Sequence, residues 1–418
     1  MPTKNAFDRL SLKPDVATYL KVVRDRFWYL DLQLTGVDDQ SQVLETIASD
    51  KMYITPFFSE KYIDPQVGEV EKQELIPLKK LILEQPRCFI LGDPGIGKTS
   101  LIHRISFLLS SGQFGELEAE VGELIPLPFI LRQLPLNQIE SWEDLIGLFC
   151  EQRWLQDCGL SVARINEIAS SGRALFLFDG LDEVVNEVQR RKLGDAIKTG
   201  LDHHPVSRAW STSRIVGFDQ RTFFGKPPAK NPVRIYKKDE EVSFVEEDES
   251  WIAPFLEEDL PSKKRRYPEF YVAPFRQQEV DRFMSAWLRI HQHAPEERDE
   301  ILRRFGEGLK ANQNIQHLAR IPITLGMMAL YFQINRHFPD GRVKLYRTIS
   351  STLLDKLSRL KGMNYDTDGL TLKQQQICLA AIADHMQKMR GDLSQGEDLV
   401  VAEAAAKNIM LEALAVDT

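Results

Sequence analysis

The sequence predicts a three-layer α/β domain followed by a helical region, and two patterns carry this prediction. Between residues 87 and 217, short apolar runs alternate with amphipathic segments in the order strand, helix, strand, helix. The run at 174–178 is apolar throughout, which is typical of a parallel strand covered by helices on both faces. Farther along the chain, apolar residues recur every three or four positions, as at Val280, Phe283 and Trp287, which is the spacing of an amphipathic helix.

Each element of the α/β domain has its own local signal. The predicted strands lie at 88–91, 127–131, 174–178, 208–212 and 270–272. Ahead of them we expect a helix that carries Val16, an extended piece at 52–58 and a second helix over 73–83. Between the fourth and fifth strands, residues 218–269 carry acidic clusters and the basic run 263–266, and we predict an inserted, solvated loop there.

The composition sets broad limits on function. A chain of 418 residues is too long for one hydrophobic core and suits roughly two to four domains. A formal net charge of −8 argues against a general nucleic-acid binder, and the 4 scattered cysteines indicate neither a disulfide framework nor a zinc site. No secretory signal is visible at the start, and the longest apolar run, 321–332, is too short to span a bilayer. We therefore expect a cytoplasmic protein without a membrane span.

A glycine-rich loop follows the first predicted strand and precedes an amphipathic helix. Its residues are Gly92, Asp93, Pro94, Gly95, Ile96, Gly97, Lys98 and Thr99, which fit the pattern G-x-x-x-x-G-K-[ST] in full. In this context the backbone N–H groups of the loop and the helix N-terminus can bind a polyphosphate. We expect Lys98 to reach the β- and γ-phosphates, the Thr99 hydroxyl to bind Mg²⁺, and Ser100 to complete the nucleotide-binding set. The loop therefore predicts a nucleoside-triphosphate site.

Acidic residues follow the third predicted strand, at the edge of the sheet where the glycine loop also opens. Asp179 ends that strand and is expected to hold hydrated Mg²⁺, a cation that keeps several waters. Asp182 and Glu183 come one turn later and are candidates to polarise an attacking water. Because acids at a helix N-terminus are also favoured by the helix dipole alone, it is the upstream loop that favours the catalytic interpretation.

The fourth predicted strand leads directly into an arginine, in the segment from Ser211 to Arg214. If this strand lies between the first and the third, the Arg214 guanidinium could reach a γ-phosphate and report hydrolysis. An arginine at a strand exit is also common on protein surfaces. The position of the strand in the sheet therefore decides between the two interpretations.

These three elements, in this order, closely resemble the NACHT family, a branch of the signal-transducing STAND ATPases. The diagnostic segment runs from Asp179 to Glu183, because NACHT proteins place a small residue after the Mg²⁺ aspartate and further acids just beyond it. Arg214 is similar to the family's sensor arginine. Residues 318–322 resemble a motif whose proline packs near the adenine, which makes Pro322 the candidate here. The resemblance implies a parallel sheet with the strand order 5-1-4-3-2.

Together, the patterns and the resemblance divide the chain into four regions. An N-terminal helical segment and linker covers residues 1–86, and the nucleotide-binding domain with its charged insert covers 87–275. A small helical domain is expected at 276–335, and a partial, winged-helix-like helical region at 336–418. The histidine with which the winged helix of relatives contacts the nucleotide has no match in this sequence.

The resemblance implies a molecular switch that binds ATP or ADP with Mg²⁺ and hydrolyses ATP slowly. ADP would hold the helical regions closed on the α/β core, and exchange for ATP would open them for self-association into a homo-oligomer. A separate sensor or effector partner is expected, in a signalling or defence setting such as anti-phage defence or innate immunity. Two alternatives stay open: an AAA+-like ATPase with steady turnover, which the acids and Arg214 permit, and a GTP-dependent signalling NTPase.

Overall fold

The fold is seen in a computed structural model, which describes residues 13–30, 47–66, 70–113, 123–184, 187–216, 218, 267–290, 294–338, 343–347, 350–351, 371–392 and 403–416. Most of the insert expected at 218–269, including the basic run 263–266, lies outside these residues. Among the helices so described, none combines the length and the apolar character that crossing a bilayer requires.

The strands in the described part of the chain are short. They are β1 Tyr29–Leu30, β2 Ile47–Ala48, β3 Phe57–Ser59, β4 Ile76–Pro77, β5 Arg87–Leu91, β6 Ile125–Ile130, β7 Ala174–Asp179, β8 Arg208–Ser213 and β9 Glu269–Val272. β1 pairs with β2, and the other strands form one sheet in the order β4-β3-β9-β5-β8-β7-β6. The predicted strands correspond to β5 through β9, and they run parallel to one another. Their arrangement confirms the expected order 5-1-4-3-2.

Helices lie before, between and after these strands. They are α1 Pro14–Phe27, α2 Ser49–Met52, α3 Leu78–Glu84, α4 Lys98–Ser110, α5 Trp142–Cys150, α6 Val162–Ser170, α7 Glu187–His203, α8 Gln277–Ile290, α9 Pro295–Ala311, α10 Gln313–Gln316, α11 Pro322–Asn335, α12 Leu372–Asp392 and α13 Glu403–Val416. Residues 343–347 are also helical. After β9, the described residues form helices and their connections and contain no strand, in agreement with the predicted helical region.

The sheet separates two layers of apolar side chains, as a three-layer domain requires. On one face, Cys88 and Ile90 of β5 belong to a cluster with side chains of α3 and α4. On the other face, Phe89 and Leu91 of the same strand belong to a cluster with side chains of α5, α6 and α7. Successive side chains of a strand point to opposite faces, and here both faces are buried. This explains why these strands are apolar throughout.

β3 and β4 extend the sheet beyond β9, and only β3 lies where the sequence predicted an extended piece. β3 pairs antiparallel with β9 on one side and with β4 on the other. The extended piece expected at 52–58 is therefore only partly correct, since Met52 ends α2 and strand pairing begins at Phe57. The helix expected over 73–83 begins only at Leu78, because Pro77 biases the residue before it away from the α region and is itself extended, with a ψ of 151°.

β6 is an edge strand of the described sheet, which is why it tolerates Pro126 and Pro128. The Ile125 N–H donates to the carbonyl of Arg173 beside β7, so the alternate residues 126 and 128 face away from that neighbour. α1 covers this open edge, and the Tyr19 hydroxyl donates to the Pro126 carbonyl at 2.6 Å. Because Tyr19 is fully buried, the N-terminal helix shares the core of the sheet.

A separate apolar cluster holds together the helices that follow β9. It contains side chains from α8, α9 and α11, among them the fully buried Trp287. The Trp287 indole N–H donates to Gln333 Oε1 at 3.0 Å and links α8 to α11. Met52 from the N-terminal segment also belongs to this cluster. The domain boundaries and the winged-helix-like region at 336–418 remain predictions.

The contact between α7 and α5 depends on Gly200, since a Cβ at this position would meet the Trp142 ring at 2.0 Å. We therefore expect Gly200→Ala to lower the free energy of unfolding by about 1–3 kcal/mol, the usual cost of overpacking. Gly147→Ala is the matched control, because a Cβ at this other helical glycine meets nothing within 4 Å. Helix propensity makes that control neutral or stabilising by up to about 1 kcal/mol. Urea unfolding measures both variants, and wild-type stability of Gly200→Ala would contradict the described packing.

Candidate nucleotide-binding site

The glycine loop joins β5 to α4 and has the backbone that a phosphate cradle needs. Gly95 and Gly97 have φ of 78° and 99°, in the left-handed region that glycine adopts without strain. Gly97 precedes α4, and Lys98 is the first residue of that helix. The Lys98 ammonium donates to the carbonyls of Gly92 at 2.6 Å and Asp93 at 3.2 Å. These bonds hold the ammonium at the loop, within reach of a phosphate bound there.

The pKa of Lys98 depends on its burial and on both acidic and basic neighbours. Burial lowers the pKa of Lys98, because the ammonium loses contact with water. The negative charge of Asp182 raises this pKa, the positive charge of Arg214 lowers it, and the negative charge of Asp179 raises it. The side chains that follow β7 and β8 are therefore close enough to Lys98 to act on its charge. The sequence predicted that these side chains lie close together, and the strand order of the sheet places them at one edge.

Asp179 ends β7 and is almost completely buried, with 3% of its surface exposed. Its Oδ1 accepts a hydrogen bond from Thr212 Oγ1 at 2.6 Å. The Gly180 N–H donates to Thr212 Oγ1 at 3.0 Å, so Thr212 connects β8 to the turn after β7. Burial raises the pKa of Asp179, and the neighbouring side chains of Thr212 and Thr99 oppose that rise.

Asp179 and Thr99 form the pair of oxygen donors that a hydrated Mg²⁺ would need. Mg²⁺ usually keeps several waters and takes only one or two carboxylates besides phosphate oxygens. Thr99 is close enough to Asp179 to lower the pKa of that carboxyl, so the two side chains lie near each other beside the loop. Among the described residues, no group of three or more His, Cys, Asp or Glu side chains could hold a metal on its own. The donor set therefore fits Mg²⁺ bound together with a nucleotide.

Asp182 lies in the 3-10 turn Leu181–Glu183 after β7, and both of its carboxylate oxygens bind Arg214. Oδ1 accepts from the Arg214 backbone N–H at 3.1 Å, and Oδ2 lies 2.9 Å from Arg214 Nε. Arg214 follows β8 directly, and β8 lies between β5 and β7. The strand position on which the Arg214 hypothesis depended is confirmed, while the catalytic roles of Asp182 and Arg214 stay predictions.

Glu183 is bound by an arginine that the sequence patterns did not indicate. Arg132 lies in the 3-10 turn Leu131–Gln133 after β6, and its Nη1 is 3.3 Å from Glu183 Oε1. Burial raises the pKa of Glu183, and Arg132 opposes that rise. Arg132 directly follows the second predicted strand, just as Arg214 closely follows the fourth. That shared position at a strand end is the signal that could have found it.

The first turn of α11 lies on the glycine loop. Pro322 is the first residue of α11, and the N–H of the next residue, Ile323, donates to the Gly95 carbonyl at 3.3 Å. A Cβ at position 95 would come within 2.2 Å of Ile323 Cγ2, so this approach requires Gly95. The fold thereby brings Pro322 next to the loop. A contact of Pro322 with a nucleotide base stays a prediction.

Tyr62 makes a second contact with the loop that the sequence did not indicate. Its hydroxyl donates to Asp93 Oδ2 at 3.0 Å, and its ring centroid is 6.1 Å from that of Tyr271 on β9. Burial and the nearby Asp93 raise the pKa of Tyr62. No local pattern signals this contact, because it depends on β3 pairing with β9 and bringing the N-terminal segment beside the loop.

Comparison with known proteins adds to this geometry. Residues 86–216 match the family model of the NACHT domain, a range that includes the glycine loop, the acids after β7 and Arg214. Among solved structures, the chain is similar to a Walker-type ATPase of Pyrococcus abyssi, with 16% sequence identity, a TM-score of 0.34, and coverage of 87% of this chain and 92% of that chain. No curated protein matches. The family match therefore identifies residues 86–216 as a NACHT domain, a nucleotide-binding domain of the P-loop NTPase class.

Proposed function

We propose that this protein is a molecular switch that binds ATP, hydrolyses it slowly, and couples the bound nucleotide to the position of its helical region. The observation that carries the proposal is the contact between Ile323 and Gly95, which joins the first turn of α11 to the glycine loop. A nucleotide in this loop would lie beside α11. ADP and ATP can then favour different positions of α11, provided that they bind the docked and undocked states with different affinity.

The reaction that we assign to the site is transfer of a phosphoryl group to water. Lys98 and the N–H groups of the loop bind the phosphates, and Mg²⁺ held by Thr99 and Asp179 neutralises charge on them. Asp182 or Glu183 orients and polarises the attacking water, and Arg214 stabilises charge that develops on the γ-phosphate. The support for these roles is that the side chains follow neighbouring strands and influence one another's charge.

Slow turnover is favoured by the partners that these side chains already have. Arg214 binds both carboxylate oxygens of Asp182, through its backbone N–H and its Nε, and in this proposal the pair rearranges before Asp182 acts on water. A required rearrangement suits a switch better than an AAA+-like ATPase with steady turnover. A turnover number above about 1 s⁻¹, at the low end of ordinary enzymes, would favour that alternative.

We further propose that exchange of ADP for ATP releases α11 and allows the chain to form a homo-oligomer, in a signalling or defence role with a separate sensor or effector partner. The NACHT domain at residues 86–216 supports a nucleotide-controlled role of this kind. Direct competition between ATP and GTP for the site distinguishes the proposed ATP switch from a GTP-dependent signalling protein.

We expect Lys98→Ala to weaken nucleotide binding roughly 10- to 150-fold, because hydrogen bonds to charged groups contribute about 1.5–3 kcal/mol. Isothermal titration with ADP and Mg²⁺ measures the affinity. The matched control is Lys80→Ala, since Lys80 is a half-exposed lysine on α3 that pairs with Glu84 and lies outside the loop. Unchanged affinity of Lys98→Ala would contradict the assignment of the phosphate site.

Asp182→Asn should bind ATP with nearly wild-type affinity and lose hydrolysis by about 10²–10⁴-fold, the usual effect of removing a group that polarises a nucleophile. Phosphate release under single-turnover conditions measures the rate. Glu183→Gln is compared in parallel, because the two acids lie in the same turn. If Asp182→Asn retains turnover and Glu183→Gln loses it, the role of polarising the water moves to Glu183.

The switch itself is tested by Ile323→Ala, which removes side-chain contact with the loop but keeps the loop sequence intact. We expect release of fluorescently labelled ADP to be about 5- to 30-fold faster, corresponding to about 1–2 kcal/mol of lost docking. Val206→Ala is the control, since Val206 is an exposed residue that lies against Gly172 rather than the loop.

Native mass spectrometry of the wild-type protein completes this test, because it reports the bound nucleotide and the oligomeric state together. We expect monomers with ADP and larger assemblies with a non-hydrolysable ATP analogue. Equal mass distributions with both nucleotides, together with unchanged ADP release from Ile323→Ala, would rule out the proposed switch and leave only a nucleotide-binding domain.

A further inference from the structure

We infer that Arg132 is a positioning residue that fixes the Glu183 carboxylate beside the phosphate site, an inference that rests on the hydrolysis proposed above. The guanidinium of Arg132 binds Glu183 Oε1 at 3.3 Å. The turn that carries Arg132, Leu131–Gln133, lies against the turn that carries Glu183, Leu181–Glu183. The contact therefore joins the ends of two neighbouring strands at the edge where the glycine loop opens.

On a second side, the Glu183 carboxylate lies over the backbone of Gly180. A Cβ at position 180 would lie 2.8 Å from Glu183 Oε2 and 2.9 Å from its Cδ, so the carboxylate is folded directly over Gly180. The Gly180 N–H is itself bonded to Thr212 Oγ1, and Thr212 donates to Asp179. One oxygen of Glu183 thus faces Arg132, and the other lies over a backbone segment that is tied to the expected Mg²⁺ ligand.

The register of the sheet sets the place of Arg132. β6 and β7 run parallel, with Ile130 opposite Asp179. Arg132 comes two residues after Ile130, so it reaches the level of the turn that follows Asp179. Arg214 reaches the same turn from β8 and binds Asp182. The two acids after β7 are therefore each bound by an arginine from a neighbouring strand, one from each side.

We assign to the Arg132–Glu183 pair a role in placing the Glu183 carboxylate, rather than a role in stabilising the fold. The side chains are 50% and 31% exposed, and ion pairs with this much exposure contribute little to stability. Phosphoryl transfer depends mainly on placing groups correctly, and a misplacement of about 1 Å can cost about 100-fold in rate. Arg132 binds the Glu183 carboxylate on one side and Gly180 lies close on the other, so loss of Arg132 would leave that carboxylate without the charged partner that places it.

The test is a double-mutant cycle of Arg132→Ala and Glu183→Gln, with kcat and KM for ATP hydrolysis as the readout. We expect Arg132→Ala to lower kcat about 10- to 100-fold with little change in KM, because the phosphates remain bound by the loop. In the Glu183→Gln background, Arg132→Ala should cause no further loss, since both changes remove the same positioned carboxylate. Arg132→Lys should restore part of kcat, as a cation in the same place.

Other outcomes overturn the inference in distinct ways. Full multiplicative losses in the double variant would mean that Arg132 acts on the phosphate directly, and a wild-type kcat in Arg132→Ala would mean that it does not act on the reaction. Arg303→Ala is the matched control, because Arg303 is an equally exposed arginine that pairs with Glu300 and Glu307 away from the site. If the wild-type protein shows no hydrolysis at all, the proposed function itself fails. If the wild-type protein hydrolyses ATP and Arg132→Ala does so equally well, only the role of Arg132 fails. If Arg132→Ala does not fold, Arg132→Lys replaces it in the cycle, and a smaller loss of kcat is then expected.

Discussion

The parallel insertion of β8 between β5 and β7 is the constraint on which the whole site depends. It places the ends of three strands side by side, so that the loop after β5, Asp179 and Arg214 meet at one edge of the sheet. Thr212 maintains this arrangement, because its hydroxyl donates to Asp179 and accepts from the Gly180 N–H. A shift of β8 by one residue would turn the Thr212 side chain to the other face and break both bonds. The buried carboxylate would then lack the partner that offsets its loss of water.

The three cations at this edge of the sheet already have partners, and this bears on the proposed switch. Lys98 binds carbonyls of its own loop, Arg214 binds Asp182, and Arg132 binds Glu183. A polyphosphate would compete for the same cations, so its arrival has to rearrange existing contacts. Because the first turn of α11 lies on that loop, the proposed switch would extend such a rearrangement to the helical region. The nucleotide-binding loop and the helical region are therefore in direct contact.

Much of this arrangement could be predicted from sequence, because its signals are local. The apolar runs gave the five central strands to within two residues, and the spacing of glycines, Lys98 and Thr99 indicated the loop. The sequence patterns did not predict contacts between segments that are far apart in the chain. The pairing of β3 with β9, the Tyr62–Asp93 contact and the Arg132–Glu183 pair each depend on neighbours that no local pattern names. The late start of α3 is the exception, since the proline at position 77 signals it locally.

The sequence alone determined the chemistry that is available: a loop able to bind phosphate, an acid at a strand end for Mg²⁺, further acids beyond it, and an arginine after the next strand. These follow from backbone preferences and residue spacing, which act over a few positions. Only the tertiary structure decided which charges are partners, that Arg132 joins them, and that α11 lies on Gly95. The reason is physical, since those contacts arise from strand register and helix packing, which bring together residues that are distant in the chain.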